Sequence, residues 1–125
     1  MSTRTQLLGL ALGRLAIGAA LVAKPQSPIG SSWVGDADAA KPTSHMLFRA
    51  VGARDMALAL GTLGAFRQGT PLKPWLLGAT LADTADLVST LAAGRAVPRV
   101  GRVAVAAMAG GAIVQQLLLT RRVEA

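Results

Sequence analysis

The sequence predicts an all-α fold, a four-helix transmembrane bundle forming a single domain over residues 1–125. Three observations predict it. Four apolar stretches, at about 7–23, 46–66, 72–93 and 103–119, each approach the roughly 17 to 25 residues needed to cross a hydrocarbon core. Every connector between them holds proline, glycine or a cation, the residues that end helices and sit at membrane surfaces. Charged residues make up 15% of the chain and hydrophobic ones 52%, whereas a soluble domain carries roughly a quarter charged.

The first stretch carries Arg14 near its middle and a Gly9/Gly13 pair in GxxxG spacing, which lets helix backbones approach in lipid. Its central arginine also argues against a cleaved signal peptide, whose apolar region rarely tolerates a charge. The connector KPQSPIGSSWVGDADAAKPTSH reads as a loop, with Trp33 placed at the headgroups or in an ordinary loop contact. Its Asp36 and Asp38 form a DxD that lacks the further ligands a cation site needs. His45, just before the second stretch, reads as an interfacial polar residue near a helix start, with titration near neutral pH or a contact to Asp38 as the alternative.

Thr43 and Ser44 supply capping hydroxyls for the second helix, which Gly52, Gly61 and Gly64 thin. Pro71 and Pro74 open the third, with Trp75 at interfacial depth. Along it Thr80, Asp83, Asp86 and Ser89 recur every three residues, a stripe expected to face the interior, while Leu77, Leu81 and Val88 face lipid or another helix. The fourth follows Pro98; it carries a second small pair, Ala106 and Gly110, and ends near Gln115 and Gln116, one of which is expected to bond between helices.

The net charge of +7 does not read as a nucleic-acid surface, because the cations are scattered and tyrosine is absent. Of the thirteen Lys and Arg, only Arg14, Arg49 and Arg54 fall inside apolar stretches, and of the six acids only Asp55, Asp83 and Asp86 do. The interior is thus formally neutral, and the whole excess lies in connectors and tails, favourable beside anionic lipid. Four spans put five cations on each side, so the positive-inside rule is tied. The first connector, with no cationic excess over acids, places both ends on the cytoplasmic side.

Ionised groups at mid-membrane cost at least ~2.5 kcal/mol each on insertion scales, so these six require partners. Depth along the helices predicts that Asp83 pairs with Arg14 or Arg54, and Asp86 with Arg49. These six residues are the candidate ligand-binding positions. With no cysteine and one histidine, no metal site or cofactor is expected, no catalytic residue can be assigned, and no Walker, dinucleotide, HExxH or GxSxG motif occurs.

The order GRLAIGAALVAKP, RAVGARDMALALGTLGAF and ADTADLVSTL resembles a family of small bacterial four-helix integral membrane proteins catalogued as a domain of unknown function. Its most specific element is GARD at Gly52 to Asp55, followed by an aspartate-bearing third helix. The resemblance covers nearly the whole chain, with Arg14, Pro25, Arg49, Arg54, Asp55, Asp83 and Asp86 at the matching motif positions. It implies a fold in the cell membrane and no reaction.

The first functional expectation is a non-enzymatic accessory or assembly partner in the membrane, surrounded by lipid and joined to another membrane protein or to a second copy of itself. The second is a binding or catalytic site for an amphipathic isoprenoid, quinone or lipid, with Arg49 or Arg54 on an anionic head and Asp83 or Asp86 as acid-base group. Proton-coupled transport through the same aspartates is a third, and requires a dimer.

Overall fold

A computed structural model describes residues 1–124, and among these the chain is helical without a strand. Four long helices carry the architecture: α1 (Thr3–Ala23), α4 (Pro42–Gln68), α5 (Lys73–Ala93) and α6 (Arg99–Glu124). Two short ones, α2 (Pro28–Val34) and α3 (Asp36–Ala39), occupy the first connector, and a 3-10 turn, Gly94–Ala96, follows α5.

Local chemistry sets these limits. The Ser2 side chain accepts from the Thr5 amide at 3.1 Å and so satisfies one free donor at the start of α1. Pro28, Pro42 and Pro74 sit in the first turns of α2, α4 and α5, where a missing N–H costs no helical bond. The second long helix starts at Pro42, so Thr43 and Ser44 lie inside its first turn and do not cap it as expected. Gly69, with φ of +69°, closes α4 in the left-handed conformation that residues with a Cβ resist.

The expected loop after α1 instead folds as α2 and α3. Pro28 nucleates the first, and Gly35, at φ +91°, turns the chain between them against the ring of Pro98. Trp33 faces inward: its Nε1 donates to Thr90 Oγ1 at 3.0 Å, and its ring lies 5.9 Å from that of Phe48. His45 does not meet Asp38, which instead pairs with Lys41 at 2.6 Å, while the buried His45 Nε2 finds no partner among the described residues.

Packing runs in pairs, α1 against α4 and α5 against α6, with α4 touching α5 and α2 lying across α6. Gly18 and Gly52 bring α1 and α4 together. A Cβ on Gly18 would stand 2.6 Å from the Gly52 carbonyl oxygen, and one on Gly52 would stand 2.5 Å from that of Gly18. Gly101 does the same for α6, where the carbonyl of Trp33 occupies the place of a side chain. The Gly9/Gly13 pair and Gly110 pack against nothing within the chain, since a Cβ on any of them meets no atom within 4 Å. GxxxG spacing permits a close approach but does not select which helix makes it.

Polar side chains are buried beside an apolar core while many large apolar ones are exposed. Leu81 is 71% exposed, while Asp83, two residues on, is 8% exposed. Asp55, Thr62, Thr90, Gln116 and Thr120 are buried, whereas Leu12, Met46, Leu60, Val103, Met108 and Leu118 point outward. Apolar clusters close the two ends of the bundle: Leu7, Leu76 and Leu119 at one, Leu21, Ala39 and Phe48 at the other. Between them lies a polar belt. Helices α1, α5 with its following turn, and α6 are each long and apolar enough to cross a membrane. Helix α4 has the length, with Arg49, Arg54 and Asp55 in its apolar stretch.

Candidate functional site

The polar belt is built from all four long helices. On α1, Arg14 is held with its side chain 11% exposed, its Nη1 donating to Asp55 Oδ1 at 3.1 Å and its Nη2 to Asp83 Oδ2 at 2.5 Å. On α4, Arg54 places its guanidinium fork on Asp86, with Nη1 to Oδ1 at 2.8 Å and Nη2 to Oδ2 at 2.6 Å. The same side chain reaches Asp55 Oδ1 through Nε at 3.3 Å and Nη2 at 3.0 Å. From α6, Gln116 donates Nε2 to Asp83 Oδ2 at 2.9 Å, and Thr80 Oγ1 lies 3.1 Å from Gln116 Oε1. Charge-assisted bonds of this kind are about twice as strong as neutral ones.

Of the six residues singled out by sequence, five meet here and one does not. Asp83 takes Arg14, one of its two expected partners. Asp86 takes Arg54 rather than Arg49, which is exposed and donates from Nε to the Val22 carbonyl at 3.4 Å. Depth alone had pointed to Arg49. Five residues of helix turn it about 140° away from Arg54, and that rotation carries it to the end of α1 instead of to α5.

Removing Arg49 changes the charge of the belt. Two guanidiniums, of Arg14 and Arg54, face three carboxylates, of Asp55, Asp83 and Asp86, so the belt carries one formal negative charge in excess. The balance of three cations and three acids holds for the apolar stretches as a whole, but the belt itself, without Arg49, does not share it.

The stripe on α5 also shifts. Steps of three drift backward about 60° each, and by Ser89 the stripe has left the interior. Ser89 is exposed, and the inner line runs through Leu76, Asp83 and Thr90, one heptad apart. Leu77, Leu81 and Val88 are exposed as expected. Sequence reasoning missed Thr90 and its bond to Trp33, and the seven-residue spacing from Asp83 was the signal available for it. Gln116 is the glutamine that bonds between helices.

Beside the belt, where α1 and α6 barely touch, lies a cavity of about 400 Å3. Ile17 and Gly13 of α1, Met108 and Ala112 of α6 and Trp33 of α2 contribute to its walls; Arg14, Asp55, Asp83 and Asp86 line it as well. Met108, 61% exposed, and Gly13, also exposed, connect it to the outer apolar surface. The arrangement offers an apolar volume ending on charge. Sites for small molecules commonly have this volume and this mixture of apolar wall and few polar groups.

No protein family, curated protein or solved structure matches the chain. All-helical architecture, three helices able to cross a membrane and a buried Arg/Asp network stand on the structure itself.

Proposed function

We propose that the chain is a multi-pass protein of the cell membrane with four spans, α1, α4, α5 and α6, and that it works by binding an amphipathic molecule between α1 and α6. The fourth span follows from compensation: Arg54 and Asp55 are paired inside the bundle, while Met46, Leu47 and Leu60 of the same helix point outward. A helix whose charges are paired within and whose outer face is apolar is suited to lipid despite its formal polarity.

One observation carries the binding reading. The cavity joins an apolar wall, reachable from the outer surface, to the charged belt, which is the polarity profile of an amphipath. The role is non-enzymatic, with the ion pairs tying helices together and the cavity holding the guest. Membership in the small four-helix family that GARD and ADTADL resemble is part of this proposal and adds no reaction.

A second reading, an accessory or assembly partner of another membrane protein or of a second copy, draws on the open faces at Gly9, Gly13, Gly110 and Gly111. Native mass spectrometry of the gently extracted protein separates the two. A retained small amphipath, lost on Gly13→Phe, supports binding; a stable dimer or heteromer with no such guest supports assembly and contradicts it.

A further inference from the structure

Resting on that reading, the geometry points to the chemistry of the guest: we infer that the cavity between α1 and α6 takes an amphipath with a cationic head, an alkylammonium rather than a carboxylate or phosphate.

The argument starts from donors and acceptors. All three guanidinium nitrogens of Arg54 donate to Asp55 or Asp86, and both terminal nitrogens of Arg14 donate to Asp55 and Asp83. An arriving anion would have to take the Arg54 donors from buried carboxylates, or use the remaining N–H groups of Arg14 in a belt that already carries one negative charge in excess. Breaking a buried pair leaves an uncompensated charge, a strongly unfavourable step. The acceptors are differently placed. Among the described residues no hydrogen bond reaches Asp55 Oδ2 or Asp83 Oδ1, although the two residues are only 7% and 8% exposed and both line the cavity.

Net charge points the same way. The charged groups lining the cavity are one arginine and three aspartates, and with Arg54 behind them the belt still lacks one positive charge. An unbalanced charge at mid-membrane is costly, and either a proton or a cation can supply what is missing. The cavity lies where a cation would be seated. A metal ion fits less well, because among the described residues no three acidic or histidine side chains are grouped to hold one. An ammonium group carries up to three donors, enough for the two open carboxylate oxygens, and its alkyl chain would lie along Gly13, Ile17 and Met108.

Three probes of equal chain length and different head test this: decylammonium, decanoate and decanol, each titrated calorimetrically into the full-length protein in a mild non-ionic detergent at neutral pH. Gly13→Phe serves as the blocked control, since a Cβ at Gly13 meets no atom within 4 Å and the added ring enters the cavity with every charge left in place. Heat that persists in this variant is partition into detergent. Decylammonium should bind the native protein at least roughly tenfold more tightly than either other probe, and Gly13→Phe should abolish that binding. Asp83→Asn removes the excess charge while its amide oxygen can still accept from Arg14 and Gln116, and it should lose the preference for ammonium. Should that variant fail to fold, the comparison of the three probes on the native protein still decides the head. Decanoate or decanol binding as tightly as decylammonium, with Gly13→Phe blocking them, overturns the cationic head and leaves amphipath binding standing. If no probe distinguishes the native protein from Gly13→Phe, amphipath binding itself fails, and the inference falls with it.

Discussion

Arg14 and Arg49 look alike in the sequence, each an arginine within an apolar stretch, yet their environments give them opposite weight. Arg14 bridges Asp55 and Asp83 with its side chain 11% exposed, whereas Arg49 is exposed and makes one long bond to a carbonyl. Replacing Arg14 by Leu leaves buried Asp83 with Gln116 but no cation, and Asp55 with Arg54 alone, and should destabilise the detergent-solubilised protein by about 3 to 5 kcal/mol. Arg49→Gln should stay within about 0.5 kcal/mol, as surface substitutions do. Chemical denaturation of the two variants checks the contrast, and equal losses would contradict the assigned pairing. That Arg14, Arg54, Asp55, Asp83 and Asp86 need partners was legible in the sequence, because the cost of a lone charge in hydrocarbon rises with depth, but the same reasoning wrongly included Arg49. Which partner each takes was not legible, because that depends on rotation about the helix axis, and Arg49 and Asp86 agree in depth while facing different neighbours.

At the scale of elements, the four long helices were legible from hydropathy and punctuation, with ends extended by polar turns: α6 runs Arg99–Glu124 around an apolar stretch of about 103–119. Helices α2 and α3 were not legible, since seven- and four-residue helices leave too short a pattern to see. Paired small-residue spacing did not locate the packing within the chain. The seam between α1 and α4 rests on Gly18 and Gly52, which stand in no paired spacing within either helix and become partners only across the interface. Gly52→Ala would drive a Cβ toward a backbone oxygen, the Gly18 carbonyl, and should lower the melting temperature markedly. Gly9→Ala, with open space around it, should be neutral or stabilising by up to about 1 kcal/mol through helix propensity alone. Thermal unfolding of both variants in the same detergent tests this. A larger loss at Gly9 than at Gly52 would place the real seam on the GxxxG face, as expected for a partner docked there.

At the scale of the whole molecule, an apolar exterior around a buried polar belt agrees with a bundle surrounded by hydrocarbon, and α4 is the element on which four spans depend. Its charges are neutral in effect only if the belt lies inside the bundle. The chain contains no cysteine, so single cysteines report sidedness without background. Asp38→Cys and Gln68→Cys flank α4, Asp38 in the preceding α3 and Gln68 at the last helical position. A membrane-impermeant thiol reagent applied to intact cells, then to opened membranes, locates each. The account predicts that the two cysteines label from opposite sides. Labelling of both from the same side would show that α4 does not cross, and the Arg/Asp belt could then not be the interior of a four-span bundle.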